Sequence, residues 1–366
     1  MTESHTPSFR DRQTRQGQPR PGRLSFTVQE RDGLRQRGYP FRTSVTIPRG
    51  GLDDAAHVRL LDHEGTELPV QTQVVSRWPG GSVKTLLMEF TAHLKPHQTR
   101  RYTVLYGPNV PPPHERHVRV ECRGGAVTVI AGEMSLAART GSRFWLEDVH
   151  LAGRPFTPRG TGIRGFLRCA VAPSELADMK PVVDDVQVAE EGPVQATLLI
   201  SGRFHHRTAD VPVRLQVRAY YTAYLDITHI LQPADESWAQ RLEDCGIEIP
   251  IAAKSGGHVV FGVADGGPIS AEASRSPILL QTSEDKFVVL EHGGREVASG
   301  SRCTGRVELS GSGLSVAAAV RNAHRFAPIR FGAASYGTAP VLRLALYCAG
   351  APPIKTRHVL LKLETV

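Results

Sequence analysis

The 366-residue chain is expected to fold as an all-β protein, a small N-terminal β-barrel followed by a large antiparallel β-sandwich. Short runs of β-branched and aliphatic residues alternate with polar ones along most of its length, the period-2 pattern of half-buried strands. Thirty-five glycines and 26 prolines punctuate those runs at short intervals. Helical periodicity is almost missing, and the short stretches 174–179 and 237–242 are the places where a helical turn is expected.

Residues 1–23 are rich in Arg, Gln, Pro and Ser and carry too little apolar surface to offset their ordering entropy, so a disordered basic tail is expected. No apolar run in that tail has the length of a secretory leader, which predicts cytoplasmic residence. No segment approaches the ~18 apolar residues of a membrane span either, so no membrane partner is expected. Residues 24–107 form the barrel, with tight turns at Pro48-Arg-Gly-Gly51 and Pro79-Gly-Gly81 and a last strand, Tyr102-Thr-Val-Leu-Tyr, that stops at Gly107. Residues 108–117 are a Pro-rich linker, because Pro108, Pro111, Pro112 and Pro113 remove ladder donors and favour extended backbone. Residues 118–366 form the sandwich, opening on short strands at 118–122, 126–130, 134–138 and 144–149.

Five widely spaced cysteines without a Cys-x-x-Cys pair predict buried, reduced thiols rather than a disulfide framework or a zinc site. The net charge of +8 invites a nucleic-acid partner, but the arginines are scattered and no recognition motif is present, so that partner is set aside. The same charge suits an acidic polysaccharide or oligosaccharide. No metal is expected: His93 with His97, and His114 with His117, have ligand-like spacing but no third ligand nearby in sequence. No cofactor is expected, since the glycine clusters at 255–257, 265–267 and 310–313 match hairpin turns and precede no helix. The adjacent carboxylates Asp184-Asp185, Glu190-Glu191 and Asp235-Glu236 point apart in strands or turns and make no glycosidase pair.

The segments Gly38-Tyr-Pro-Phe-Arg-Thr-Ser-Val-Thr-Ile-Pro48, Leu68-Pro-Val-Gln71 and Arg77-Trp-Pro-Gly-Gly-Ser-Val-Lys-Thr-Leu-Leu87 closely resemble the N-terminal RIFT-type barrel of the exo-rhamnogalacturonan lyase, or YetA-like, family. Gly80 and Thr85 depart from the Asp and Trp of the family pattern. Gly192-Pro-Val-Gln-Ala196, the run 214–228 and Lys355-Thr-Arg-His358 resemble the family's central β-sandwich. The resemblance implies an α/α toroid after the sandwich, for which these 366 residues leave no segment, so a separate toroid-domain protein or a homo-oligomer is an expected partner.

Residues 213–228 alternate so regularly that they read as one long strand with Arg214, Gln216, Arg218, Tyr220, Tyr224 and Asp226 on one face. Its upstream neighbour, 194–206, places Arg203 and His205 opposite its own apolar set. Pairing apolar with apolar sets Phe204 across from Val213 and Ile200 across from Val217, with a loop at 207–210 and Arg203 facing Arg214. Arg203, Arg214, Arg218, Tyr220 and Tyr224 are therefore the candidate ligand-binding residues, because guanidinium forks fit carboxylates and aromatic faces suit sugar rings. The expected function is a non-catalytic, carbohydrate-associated binding or structural protein. One alternative, implied by the resemblance, is a polysaccharide lyase acting by β-elimination, with His205, Arg218, Tyr220 and Tyr224 as catalytic candidates. The other is a structural subunit of a larger assembly.

Overall fold

A computed structural model describes residues 21–112, 116–172, 175–207, 209–232, 238–253, 256–336, 339–350 and 356–366. The tail 1–20, Pro113 to Glu115 of the linker and Lys355 lie outside the described residues. The chain divides into two compact units, one of residues 1–37 with 41–114, the other of 38–40 with 115–366. Both are built of strands, as the alternation and turn chemistry require. No described helix is long and apolar enough to cross a membrane.

In the smaller unit a four-stranded sheet, in the order Gly22–Gln29, Thr99–Tyr106, Val58–Leu61, Glu67–Leu68, and a three-stranded sheet, in the order Gln36–Thr46, Val83–Leu94, Val70–Arg77, enclose one core. Phe90 sits at its centre, with the rings of Phe26, Phe41 and Tyr102 at 5.8, 5.6 and 5.3 Å. Ordered strand begins at Gly22, so Gly22 and Arg23 belong to the sheet rather than to the tail. The proline segment does not run free where it is described. Val110 is buried, its carbonyl lies 2.6 Å from His57 Nδ1, and the Pro111 carbonyl accepts Arg59 Nε at 3.2 Å.

Glu30 closes one end of this unit. Its buried carboxylate accepts the backbone N–H groups of Asp32, Gly33 and His97 at 2.8–2.9 Å, while Gly33 and His97 both adopt positive φ. Burial pushes the carboxyl up, but the converging N–H groups of His97, Asp32, Leu34 and Gly33 outweigh it and hold it below its ordinary value. A depressed folded-state pKa contributes stability above the unfolded value, and that stability is lost as pH falls through the folded one. Glu30→Gln, which turns an acceptor into a donor facing N–H groups, is expected to cost about 1–3 kcal/mol. The protection factors of the Gly33 and His97 amides, that is, their exchange rates relative to an unstructured chain at the same pH, should fall in the variant at neutral pH, and those of the wild type should fall toward the variant's on acidification.

The larger unit is a sandwich. Its first sheet runs Glu296–Gly300, Lys286–Leu290, Ile278–Ser283, Ile329–Tyr336, Ala339–Cys348, Leu242–Pro250, Gly162–Ala172 and the start of Glu175–Glu191. Its second continues from that shared strand through Gln195–His206, Ala209–Tyr220, Tyr224–Leu231, Thr356–Thr365, Leu314–Val320, Cys303–Gly311, His258–Val263 and Ile269–Glu272. The shared strand pairs with the first sheet up to Met179 and with the second from Lys180 onward. Residues 118–139 and 146–155 form a further set of short strands packed on the same core. Trp145 fills a slot made by glycines: a Cβ at Gly165 would stand 2.5 Å from its Nε1, and one at Gly202 would stand 2.7 Å from its ring.

Several expectations are corrected. Residues 175–179 are strand, paired to 167–172, because Ala177 and Met179 alternate inward; Trp238–Arg241 is one helical turn. Residues 213–228 are two strands, not one: the chain reverses at Tyr221-Thr-Ala223, Tyr220 pairs with Tyr224, and Ala223 takes φ 60°. The hairpin of 195–206 with 209–220 forms, but slipped by two residues, so Phe204 faces Val211, Ile200 faces Leu215 and Arg203 faces Pro212. A tighter turn, with Arg207 at φ 49° between the paired His206 and Ala209, accounts for the slip. Of the five free cysteines, Cys169, Cys245, Cys303 and Cys348 are buried, whereas Cys122 lies on the exposed side of its strand.

Candidate functional site

A two-residue slip preserves parity, so the predicted polar face exists on the outside of the second sheet. Most of its charges are already matched. Arg203 binds Asp184, His205 Nδ1 lies 2.6 Å from Asp210 Oδ1, and Arg218 donates to Asp226 across the Tyr220–Tyr224 hairpin at 3.1 Å with its side chain 12 % exposed. Arg214 is exposed, between Ser201 and Ile230. Tyr220 and Tyr224 are 3 % and 8 % exposed, buried with Val194 and packed by Tyr39, whose ring lies 5.7 Å from that of Tyr224. Lys362 sits 4.4 Å above the Tyr224 ring and donates to the Thr222 carbonyl at 2.6 Å. Burial drives the Tyr224 hydroxyl far above its ordinary pKa, so the phenol keeps its proton at neutral pH. The six candidates thus lie on three adjacent strands of one sheet but share no open site.

A different arrangement occupies the outside of the first sheet. Strand register lays three rows across it: Arg164, Glu248, Arg343 and Gly332; then Phe166, Gly246, Ala345 and Arg330; then Arg168, Asp244 and Cys348. Gly332, Ala333, Ala334 and Ala345 give a floor with little side chain. Arginines stand around it, and the result is an open hollow of about 270 Å³. Arg168, Arg330 and Arg343 keep 46, 37 and 36 % of their side chains exposed.

Cations and carboxylates are held differently here. Arg164 is tied to Glu248 at 2.8 Å, and Glu248 is 2 % exposed. The others are loose: Arg168 stands 3.5 Å from Glu243, while Arg343 and Arg330 stand 3.4 and 3.8 Å from the same oxygen, Asp244 Oδ2. The second oxygen of Asp244 is buried without a hydrogen-bond donor. Burial accordingly raises the Asp244 carboxyl above its ordinary pKa, against the pull of Arg343 and Arg330. Three guanidinium groups are left with hydrogen-bonding capacity toward solvent, the arrangement that accepts an oxyanion.

None of the residues lining this hollow is among the candidates that the sequence offers. Arg164, Phe166 and Arg168 alternate with apolar residues, as do Asp244, Gly246 and Glu248, and that signal was legible. Which strands would lie side by side was not. Among the described residues no group of three His, Cys, Asp or Glu gathers as a metal site.

No family profile matches the chain, and no curated protein matches it. Among solved structures, a glycosyl hydrolase family 38 protein from Enterococcus faecalis is similar at a TM-score of 0.49 and 11 % identity, covering 93 % of this chain and 44 % of that one. An alpha-mannosidase from Enterococcus faecalis V583 is similar at 0.47 and 11 %, covering 94 % and 43 %. The chain spans less than half the length of either. A likeness at this level carries no functional weight, and the architecture stands on the strand pairings themselves.

Proposed function

We propose that the chain is a non-catalytic, carbohydrate-associated binding module, related to the YetA-like polysaccharide lyases, that holds an anionic saccharide in the arginine-lined hollow of the first sheet. The observation that carries this reading is the contrast between the two sheet faces. On the second sheet Arg203 and Arg218 are matched by close carboxylates and the exposed Arg214 stands singly between Ser201 and Ile230, whereas on the first Arg168, Arg330 and Arg343 together surround a small-residue floor at loose distances from shared carboxylates. The barrel segments between Gly38 and Leu87 supply the link to carbohydrate, through the family they resemble.

In gel electrophoresis through polygalacturonate at low ionic strength, the protein should be retarded, and it should run unhindered through a neutral dextran gel. Arg168→Ala with Arg330→Ala should abolish the retardation while changing stability little, since exposed substitutions usually fall within about 0.5 kcal/mol each. Equal mobility of the wild type in both gels would show the reading to be wrong. Growth of unsaturated-uronate absorbance from the same polymer would identify a lyase instead, and elution as a large species without retardation would favour the assembly subunit.

A further inference from the structure

Arg343 and Arg330 are diagonal neighbours on adjacent strands and expose nearly equal fractions of their side chains, yet their surroundings differ. Arg343 lies with Cζ 4.0 Å above the ring of Phe166, a residue two strands away. The approach is open because Gly246, which pairs with both Phe166 and Ala345, has no side chain between them. Its two terminal nitrogens face Glu248 at 3.8 Å and Asp244 at 3.4 Å. The guanidinium is thus held by a ring on one face and carboxylates along its edge. Arg330 stands beside the same Asp244 oxygen at 3.8 Å with no ring stacked on it among the described contacts. Phe166 itself is 9 % exposed and groups with Ala345 and Cys348 on the outer side of the sheet, apart from the main core.

We infer that Phe166 is a positioning residue for the hollow: it holds Arg343 flat, so that an incoming oxyanion meets one preset guanidinium edge and needs to order only Arg330 and Arg168. This rests on the proposed function for its ligand, but the holding of Arg343 is a property of the protein alone. A long side chain fixed before association leaves less freedom to be lost on binding, and its ordered geometry favours a two-point contact with a planar carboxylate. A cation over an aromatic face supplies the holding interaction.

The test has two arms. In the first, the intact protein is treated with phenylglyoxal and modification is followed arginine by arginine through peptide mass analysis. Arg343 should react several-fold more slowly than Arg330 in the wild type. Phe166→Leu should bring the two rates together, and Phe166→Tyr should restore the difference. Equal rates in the wild type, or a slow Arg343 in Phe166→Leu, would overturn the inference, and the wild-type comparison holds even should the leucine variant fail to fold. In the second arm, titration with a polygalacturonate oligosaccharide should show affinity about tenfold lower for Phe166→Leu, the order expected for immobilising one more long side chain, and recovered in Phe166→Tyr. Unchanged affinity in a folded Phe166→Leu also counts against it. A wild type that ignores the oligosaccharide while showing the reactivity difference would remove the functional reading and leave the positioning role intact.

Discussion

Val217→Asp is expected to leave no folded protein. Val217 is fully buried between Leu198 and Ile227 on the inner side of the second sheet, in the middle of the core that both sheets share. An aspartate there is bordered by the apolar Leu198 and Ile227, while the inward-facing Arg357 lies two strands away in the next row and already donates to the Leu346 carbonyl. An unpaired buried charge costs at least about 3–5 kcal/mol, a large part of a typical domain's total stability. Expression should yield insoluble or proteolysed product, and circular dichroism of any soluble fraction should lack the cooperative thermal transition of the wild type. A soluble variant with a transition near the wild-type temperature would mean that position 217 faces solvent. Arg218→Ala, one residue along, should by contrast leave a folded protein, because the partner it leaves behind, Asp226, keeps 30 % of its side chain exposed and can be solvated.

Gly246→Ala is the second large effect. A Cβ at this position would stand 1.8 Å from the Leu344 carbonyl oxygen and 3.0 Å from the Ala345 Cα, both backbone atoms of the partner strand. Neither can rotate aside, so the strand itself must move. Overpacking against side chains costs about 1–3 kcal/mol, and a backbone obstruction should exceed that. The same shift breaks the irregular register between Cys245 and Gly246 that places Asp244 under Arg343. Denaturant unfolding should therefore show a midpoint well below the wild type, and retardation by polygalacturonate should be lost at temperatures where the variant remains folded. A variant with unaltered midpoint would show that the two strands are not joined in this register.

How far the sequence could be read follows from parity and range. The side-chain period of 2 survives an even slip, so Leu215, Val217 and Ala219 face inward and Arg203, Arg214 and Arg218 outward, as the alternation requires, although every cross-strand partner is shifted by two. The reversal at Tyr221-Thr-Ala223 left no trace because it uses none of Gly, Pro, Asn or Asp, and a three-residue turn keeps Tyr220 and Tyr224 on one face as an unbroken strand would. Burial of those two tyrosines depends on Tyr39, nearly two hundred residues upstream, which no local pattern announces. The hollow was hidden for the same reason. Its arginines come from positions 168, 330 and 343 and its carboxylates from 243 and 244, brought together by pairings between strands far apart in the chain.

The strand Glu175–Glu191 passes from one sheet to the other between Met179 and Lys180 without a loop. Two sheets held face to face by side chains alone can slide as plates, since dispersion contacts have little directional preference. Here any sliding would have to break ladder bonds on both sides of that one continuous backbone. At the far margins the strands Glu296–Gly300 and Ile269–Glu272 each pair with a single described neighbour. The backbone nevertheless crosses between the sheets there as well, from Gly300 to Cys303 and, through the turn Ala273–Arg275, from Glu272 to Ile278, and buried Gln281 of the first sheet accepts the Cys303 N–H at 2.7 Å. The sandwich is therefore stitched along both margins, like a hemmed cloth, and is held against parting as well as against shear.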